Sequence, residues 1–314
     1  MATVNSVLGP IDTADLGFTL MHEHLLVSSA GVVQNYPELL GEGFIDRLAS
    51  GLIRAKEGGV TTIVDATTID LGRDANVLAE ASRRSGVNII ACTGWWMEIP
   101  RFIRSVTADQ FAQLFVREIE EGIAGTGIKA GIIKSASDSS GVQPEEEKIL
   151  RGAARAHKQT GLPLMLHSYS PGQVGRQQMA ILKEEGVELS RVKFDHSNDT
   201  TDVEYLTWIL EQGCYLGMDR YPGRSVTSEE RTNTMKALID AGYVDRLLPS
   251  HDHSLVSTMG AASAATPRPE PGTGYLHVKN VVLPQLREMG VDEATVNRLC
   301  VEGPRRFFEG VSQD

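Results

Sequence analysis

Short apolar runs rich in β-branched residues recur along the chain, each giving way to a polar residue. A longer stretch then follows, with apolar positions every three or four residues. Eight runs have this form, at 17–22, 61–66, 88–93, 130–135, 163–167, 192–196, 214–219 and 246–250. Runs of this length, bounded by glycine or polar residues, suit buried strands. The stretches between them carry the 3.6-residue period of amphipathic helices. Over 43–57 the apolar positions are Phe44, Ile45, Leu48, Leu52 and Ile53. The stretch 73–85 closes before Gly86, and 107–122 opens on Thr107, a capping residue. The stretch 144–160 opens on Pro144-Glu145-Glu146-Glu147, which suits the positive end of a helix dipole. Further helices are predicted at 173–185, 201–212, 228–241, 275–289 and 292–301.

Strands that alternate with helices pair in parallel through right-handed crossovers. Eight such units in about 300 residues point to an α/β fold, a single (β/α)8 barrel over 1–314 with a short N-terminal lead-in. An open doubly wound sheet is the alternative. Its nucleotide-binding form is not supported, because the first strand runs into Met21-His22-Glu23-His24 with no glycine-rich phosphate loop. The lead-in suggests a hairpin around Gly9-Pro10. The one biased stretch, 257–274, is rich in Ala, Ser, Pro and Gly and follows the eighth strand.

The 314 residues are 41% hydrophobic and 23% charged, as in globular proteins with a large core. A net charge of −11 argues against nucleic acid or an anionic membrane as a partner. No run of about 18 apolar residues and no basic-then-apolar leader is present. Cys92, Cys214 and Cys300 are odd in number and far apart, and read as reduced, buried thiols of a cytoplasmic protein.

The strand ends carry the candidate chemistry. In an extended strand His22 and His24 share a face and Glu23 points away. Later strands end in Lys134, His167, His196 and Asp252. Barrel strand ends converge on one rim. Four imidazoles, a carboxylate and a lysine suit two divalent ions, with zinc first and cobalt, iron or manganese as other candidates. An ammonium cannot bind a cation, but a lysine buried beside metal charge is driven toward its neutral form. Neutral lysine adds carbon dioxide to give a carbamate, whose two oxygens can bridge ions about 3.5–4 Å apart with a shared hydroxide. Taken singly, each residue also reads as a solvated loop histidine, a core histidine or a strand-end lysine. The six together, drawn from five strand ends, outweigh those readings.

Other rim residues carry two readings each. Asp199 is a proton carrier or the N-cap of the next helix. Arg220 faces a substrate oxygen or pairs with Asp219. Trp95, Trp96, Met97, Ile99, Pro100 and Phe102 line an apolar pocket, cover the rim or form a dimer contact. His251 and His253 flank Asp252 and so face away from it. His157 and His277 lie in helical stretches and read as ordinary.

The set His22-x-His24, Lys134, His167, His196 and Asp252 resembles the phosphotriesterase family of the amidohydrolase superfamily, most of all the phosphotriesterase-like lactonases. His196-Ser197-Asn198-Asp199-Thr200 and Gly217-Met218-Asp219-Arg220-Tyr221 support the likeness, which runs from about residue 7 to 309. The resemblance implies a distorted barrel and a binuclear centre. His22, His24 and Asp252 would hold the more buried ion, and His167 and His196 the more exposed one. Carboxylated Lys134 and hydroxide would bridge them. It further implies a homodimer that hydrolyses lactones, often N-acyl homoserine lactones, with phosphotriesters as a side activity. Asp252 and Asp199 would be the catalytic carboxylates, with Trp96 and Arg220 touching substrate. A true phosphotriesterase, another ester hydrolase and a non-catalytic metal-binding barrel are the rival readings. The chain departs from the pattern at Trp96, where many lactonases carry tyrosine, and at Asp195, which stands where a glycine is expected. The 257–274 stretch also differs from the family's usual loops.

Overall fold

The computed structural model describes residues 2–223, 225–258 and 274–310. Most of the biased stretch after the eighth strand lies outside the described residues. Strands β1 (Thr3–Ser6) and β2 (Gly9–Asp12) form an antiparallel hairpin. Its turn falls at Val7-Leu8, so Gly9-Pro10 opens the second strand and is not the turn itself.

Nine parallel strands follow in chain order. They are β3 (Thr19–Val27), β4 (Thr62–Asp65), β5 (Asn88–Gly94), β6 (Ile132–Ser137), β7 (Leu164–Ser168), β8 (Val192–Asp195), β9 (Tyr215–Met218), β10 (Leu247–Pro249) and β11 (Ser254–Ser257). Neighbours pair in this order, and β11 pairs with β3. The ring therefore closes through two pieces, β10, which covers the eighth run, against β9, and β11, which lies beyond that run, against β3. Between them Asp252 takes a φ of 53°. Its N–H donates to His22 O at 3.1 Å, and His24 N–H donates to His253 O at 2.9 Å. The kink hands the chain from one neighbour to the other and closes the (β/α)8 barrel. Periodicity ends this strand at 250, because a left-handed residue breaks the alternation that marks a strand.

Seven predicted helices form within a few residues of expectation. After a single turn, α1 (Val32–Asn35), these are α2 (Phe44–Glu57), α3 (Ala75–Ser85), α4 (Ala108–Glu120), α5 (Pro144–Thr160), α6 (Gly175–Glu185), α7 (Val203–Glu211) and α8 (Ser228–Asp240). Thr107 and Thr227 close capping boxes on α4 and α8. The last two predicted helices are interrupted by π turns at Val278–Val282 and Arg298–Glu302, and a further helix, Gly303–Glu309, follows. Pro284 and Pro304 lie just beyond these turns and lack the N–H that a regular α turn needs.

Alternate strand residues feed two apolar layers. Leu20, Ile63, Ile89, Ile133, Leu164 and Phe194 pack outward under the helices. Met21, Val64, Ile90, Ile132, Met165, Tyr215, Leu248 and Phe307 fill the barrel interior. The β3 register carries a bulge, with Leu20 opposite Ile63 but Glu23 opposite Asp65. The extra residue lets Met21 join the interior layer while His22 and His24 also face inward. Both histidines lie within β3, not at its end as the apolar run suggested.

Candidate metal centre

The structure gathers His22, His24, Lys134, His167, His196 and Asp252 in one place at the C-terminal end of the barrel. Only Asp252 among them has appreciable exposure. His22 Nε2 and His24 Nε2 approach Asp252 Oδ1 at 3.3 and 3.1 Å. Lys134 Nζ lies 3.3 Å from His22 Nε2. His196 Nε2 and His167 Nδ1 face each other at 2.9 Å. The backbone at Lys134 depends on Gly94, where an added Cβ would lie 1.9 Å from Lys134 O.

Each imidazole gives its other nitrogen to a protein acceptor. His22 Nδ1 lies 3.1 Å from both Asp195 Oδ2 and Asp219 Oδ2. His196 Nδ1 meets Asp219 Oδ1 at 3.0 Å. His167 Nε2 meets Asp138 Oδ2 at 2.7 Å. His24 Nδ1 meets Thr67 Oγ1 at 2.8 Å, while that hydroxyl donates to Leu26 O. A nitrogen that donates to a carboxylate or hydroxyl leaves its ring partner as a lone pair. With the rings neutral, as cation binding requires, four lone pairs point inward, two of them toward each other. Such a site calls for a cation, and backing of every ligand by an outer acceptor is the usual architecture of a metal-binding histidine. His22, His196 and Asp252 also offer ligand atoms that all lie within 4.8 Å of one another.

The electrostatics agree with this donor set. Burial and Lys134 work against a charge on His22, yet Asp195, Asp219 and Asp252 push its pKa up to about 10. Burial alone would raise Asp252, but His22 and His196 outweigh it and hold the carboxyl well below its ordinary range. Burial pushes His196 well below the usual imidazole value, helped by Arg220 and His167. Carboxylates that favour a proton on His22 would equally favour a metal cation.

The rim residues fall differently from the sequence alternatives. Arg220 does not pair with Asp219. Its Nε donates to Asp252 Oδ2 at 3.1 Å and its Nη1 to Asp199 Oδ2 at 2.7 Å. Asp219 is instead turned inward to the histidines. Asp199 does not cap the following helix, since Asp202 caps α7. The other oxygen of Asp199 accepts from Arg231 Nη2 at 2.7 Å. Trp96 stands edge-on to His167, with ring centroids 6.3 Å apart. Trp95 is buried against Phe111 of α4 and belongs to the core, not to the rim. His251 is structural. Glu23 Oε1 accepts from Ser250 Oγ, His251 N and His251 Nδ1, and Glu23 Oε2 accepts from His253 N. One outward carboxylate thereby brackets Asp252. His157 Nδ1 meets Leu162 O, as an ordinary helical histidine would.

The roles of Asp138, Thr67, Glu23 and Arg231 escaped the sequence reading because each acts on a residue of another element. Only the acidic residue just past β6, Asp138, left a visible signal.

A model described as the phosphotriesterase family matches residues 2–308. The chain belongs to the phosphotriesterase family. It is a metal-dependent hydrolase. A phosphotriesterase homology protein of Mycobacterium tuberculosis is 39% identical, with 98% of each chain aligned. An aryldialkylphosphatase of Saccharolobus solfataricus is 35% identical over 95% of this chain and 96% of that one. An N-acetyltaurine hydrolase of Xenopus tropicalis is 26% identical over 97% of both. The solved phosphotriesterase of Mycobacterium tuberculosis superposes with a TM-score of 0.91 at 37% identity, covering 98% of each chain. Among the described residues no helix is long and apolar enough to cross a membrane.

Proposed function

We propose that this phosphotriesterase-family chain is a binuclear hydrolase that opens lactones, with phosphotriesters turned over as a side reaction. One observation carries the reading: four imidazole lone pairs, the Asp252 carboxylate and the Lys134 amine converge inside the barrel, and every imidazole is backed by an outer acceptor. In this reading His22, His24 and Asp252 would hold one ion and His167 and His196 the other, and Lys134, once carboxylated, would serve as a ligand to both. Two divalent ions, zinc first among the candidates, would polarise the carbonyl and acidify the attacking water.

The chain's own groups do the rest. Trp96 beside His167 walls the ring of the substrate. Arg220 fixes Asp252 through Nε and Asp199 through Nη1, so the two carboxylates are held as a connected pair. Asp252 takes the proton of the attacking water. As the ring C–O bond breaks, the proton passes by way of Asp199 to the leaving alkoxide. Arg231 keeps Asp199 turned toward Arg220.

The name of the Saccharolobus relative favours a second reading, a true phosphotriesterase. A phosphoryl oxygen occupies such a site as a carbonyl does, and its transition state also gathers negative charge. The deciding experiment measures kcat/KM for an N-acyl homoserine lactone and for paraoxon on zinc-loaded protein. The lactone value is expected to be the higher. A paraoxon value above it would overturn the lactone assignment and keep the hydrolase.

A further inference from the structure

Lys193 on β8 brings a charge into the mostly apolar interior of the lower barrel. It lies between Met165 on β7 and Tyr215 on β9 in strand register. It is fully buried. Its Nζ donates to Met21 O at 2.9 Å and sits 2.5 Å from Asp195 Oδ1. Asp195, two residues on, faces the same way one layer higher and is also fully buried. Its Oδ2 lies 3.1 Å from His22 Nδ1. These are ion-pair approaches, since neither oxygen of Asp195 has a hydrogen bond of good geometry.

Two carboxylates therefore crowd one imidazole N–H, where a single acceptor is usual. Room for both comes from Gly217 on β9. A Cβ there would lie 2.4 Å from Asp219 Oδ2 and 2.6 Å from Asp195 Oδ1. Asp219 is already engaged by His196, through the backbone N–H at 2.8 Å and Nδ1 at 3.0 Å. His22, Asp195 and Asp219 have the spacing of a small cation site. The Lys193 ammonium already supplies the cation there. Burying a carboxylate with no counter-charge is costly, and removing one partner of a buried pair leaves that cost exposed.

We infer that Lys193 and Asp195 are a positioning pair for His22. Asp219 accepts the His22 N–H, and the Asp195 carboxylate beside it adds a charge that holds Nε2 toward Lys134 and Asp252. Lys193 anchors Asp195. Asp219 alone would have to orient both His22 and His196, and the added carboxylate separates the two tasks. The effect is local, tightening the ion held by His22 and leaving the ion held by His167 and His196 unchanged. This inference rests on the proposed metal-binding reading of the site.

The test is chelator competition on full-length protein loaded with zinc, giving an affinity for each ion. Apo-protein melting is followed alongside. Asp195→Asn is expected to weaken one ion by about 10- to 100-fold and to spare the other. The double variant Lys193→Met with Asp195→Ala should show the same split while melting near the wild type, since no charge is left unpaired. It keeps the test open if the single variant folds poorly. Both affinities staying within about twofold of wild type in either folded variant would overturn the pairing while leaving the metal site intact. Equal weakening of both ions would overturn it too, as a general loosening of the centre. Wild-type protein that binds no zinc would bring down the site reading together with the inference.

Discussion

Met165 and His167 leave β7 on the same side, two residues apart, and enter opposite environments. Met165 is fully buried among Met21, Ile132 and Leu248. His167 faces His196 and donates to Asp138. The same step recurs from Ile132 to Lys134 on β6. On β8 it does not, because Lys193 already carries charge into the lower layer. The comparison teaches that the barrel strands change from structural to chemical within one inward step. The lower layer supplies dispersion and apolar burial, and that rigid base lets buried imidazoles and carboxylates be held at fixed distances above it.

Separability of the two layers can be broken or sharpened by substitution. The largest effect is expected at Lys134, where Lys134→Ala should lower turnover by more than about 100-fold. Added short-chain carboxylates should restore part of it. Near wild-type turnover with two ions still bound would end the bridging role. Next comes Met165→Ala, a cavity in the lower layer. Urea unfolding should show a loss of about 2–5 kcal/mol while metal stoichiometry stays at the wild-type value. A loss of bound metal in that variant would mean that the layers are not independent. Gly217→Ala crowds the boundary between them, and strain of about 1–3 kcal/mol is expected together with weaker metal binding. Unchanged stability would show that Asp195 and Asp219 can move aside.

The smallest effect is expected outside the barrel. Arg155 on α5 donates to both oxygens of Glu185 on α6, and this contact foremost holds the Glu185 carboxyl below its ordinary value of 4.5. Arg155 is about a third exposed, so Arg155→Ala should cost about 1 kcal/mol or less. A depressed folded-state pKa means the contribution is present above about pH 4.5 and lost as the pH falls through the folded value. Thermal melts of the two proteins should therefore converge in acid. A gap that persisted there would assign the effect to packing of the arginine stem.

The eight strand runs, seven of the helices and the six convergent residues His22, His24, Lys134, His167, His196 and Asp252 were legible in the chain. Each depends on local rules, a period of two or 3.6 and a polar residue at a strand's end, which the order of residues carries directly. Closure of the ring through β11, the bulge that turns Met21 and His22 inward together, and the π turns before Pro284 and Pro304 were not. They are settled by which strand or helix lies alongside, and a single strand holds no record of its neighbour's register. The same holds for the second tier of the site. Asp195 stood out as a departure, and Lys193 lies two residues before it, but Asp219 and His22 come from just past β9 and from β3. The sequence by itself determined which groups could do chemistry and that they would share a rim. The tertiary structure decided which nitrogen of each histidine faces inward, because that choice belongs to an acceptor contributed by another strand or loop.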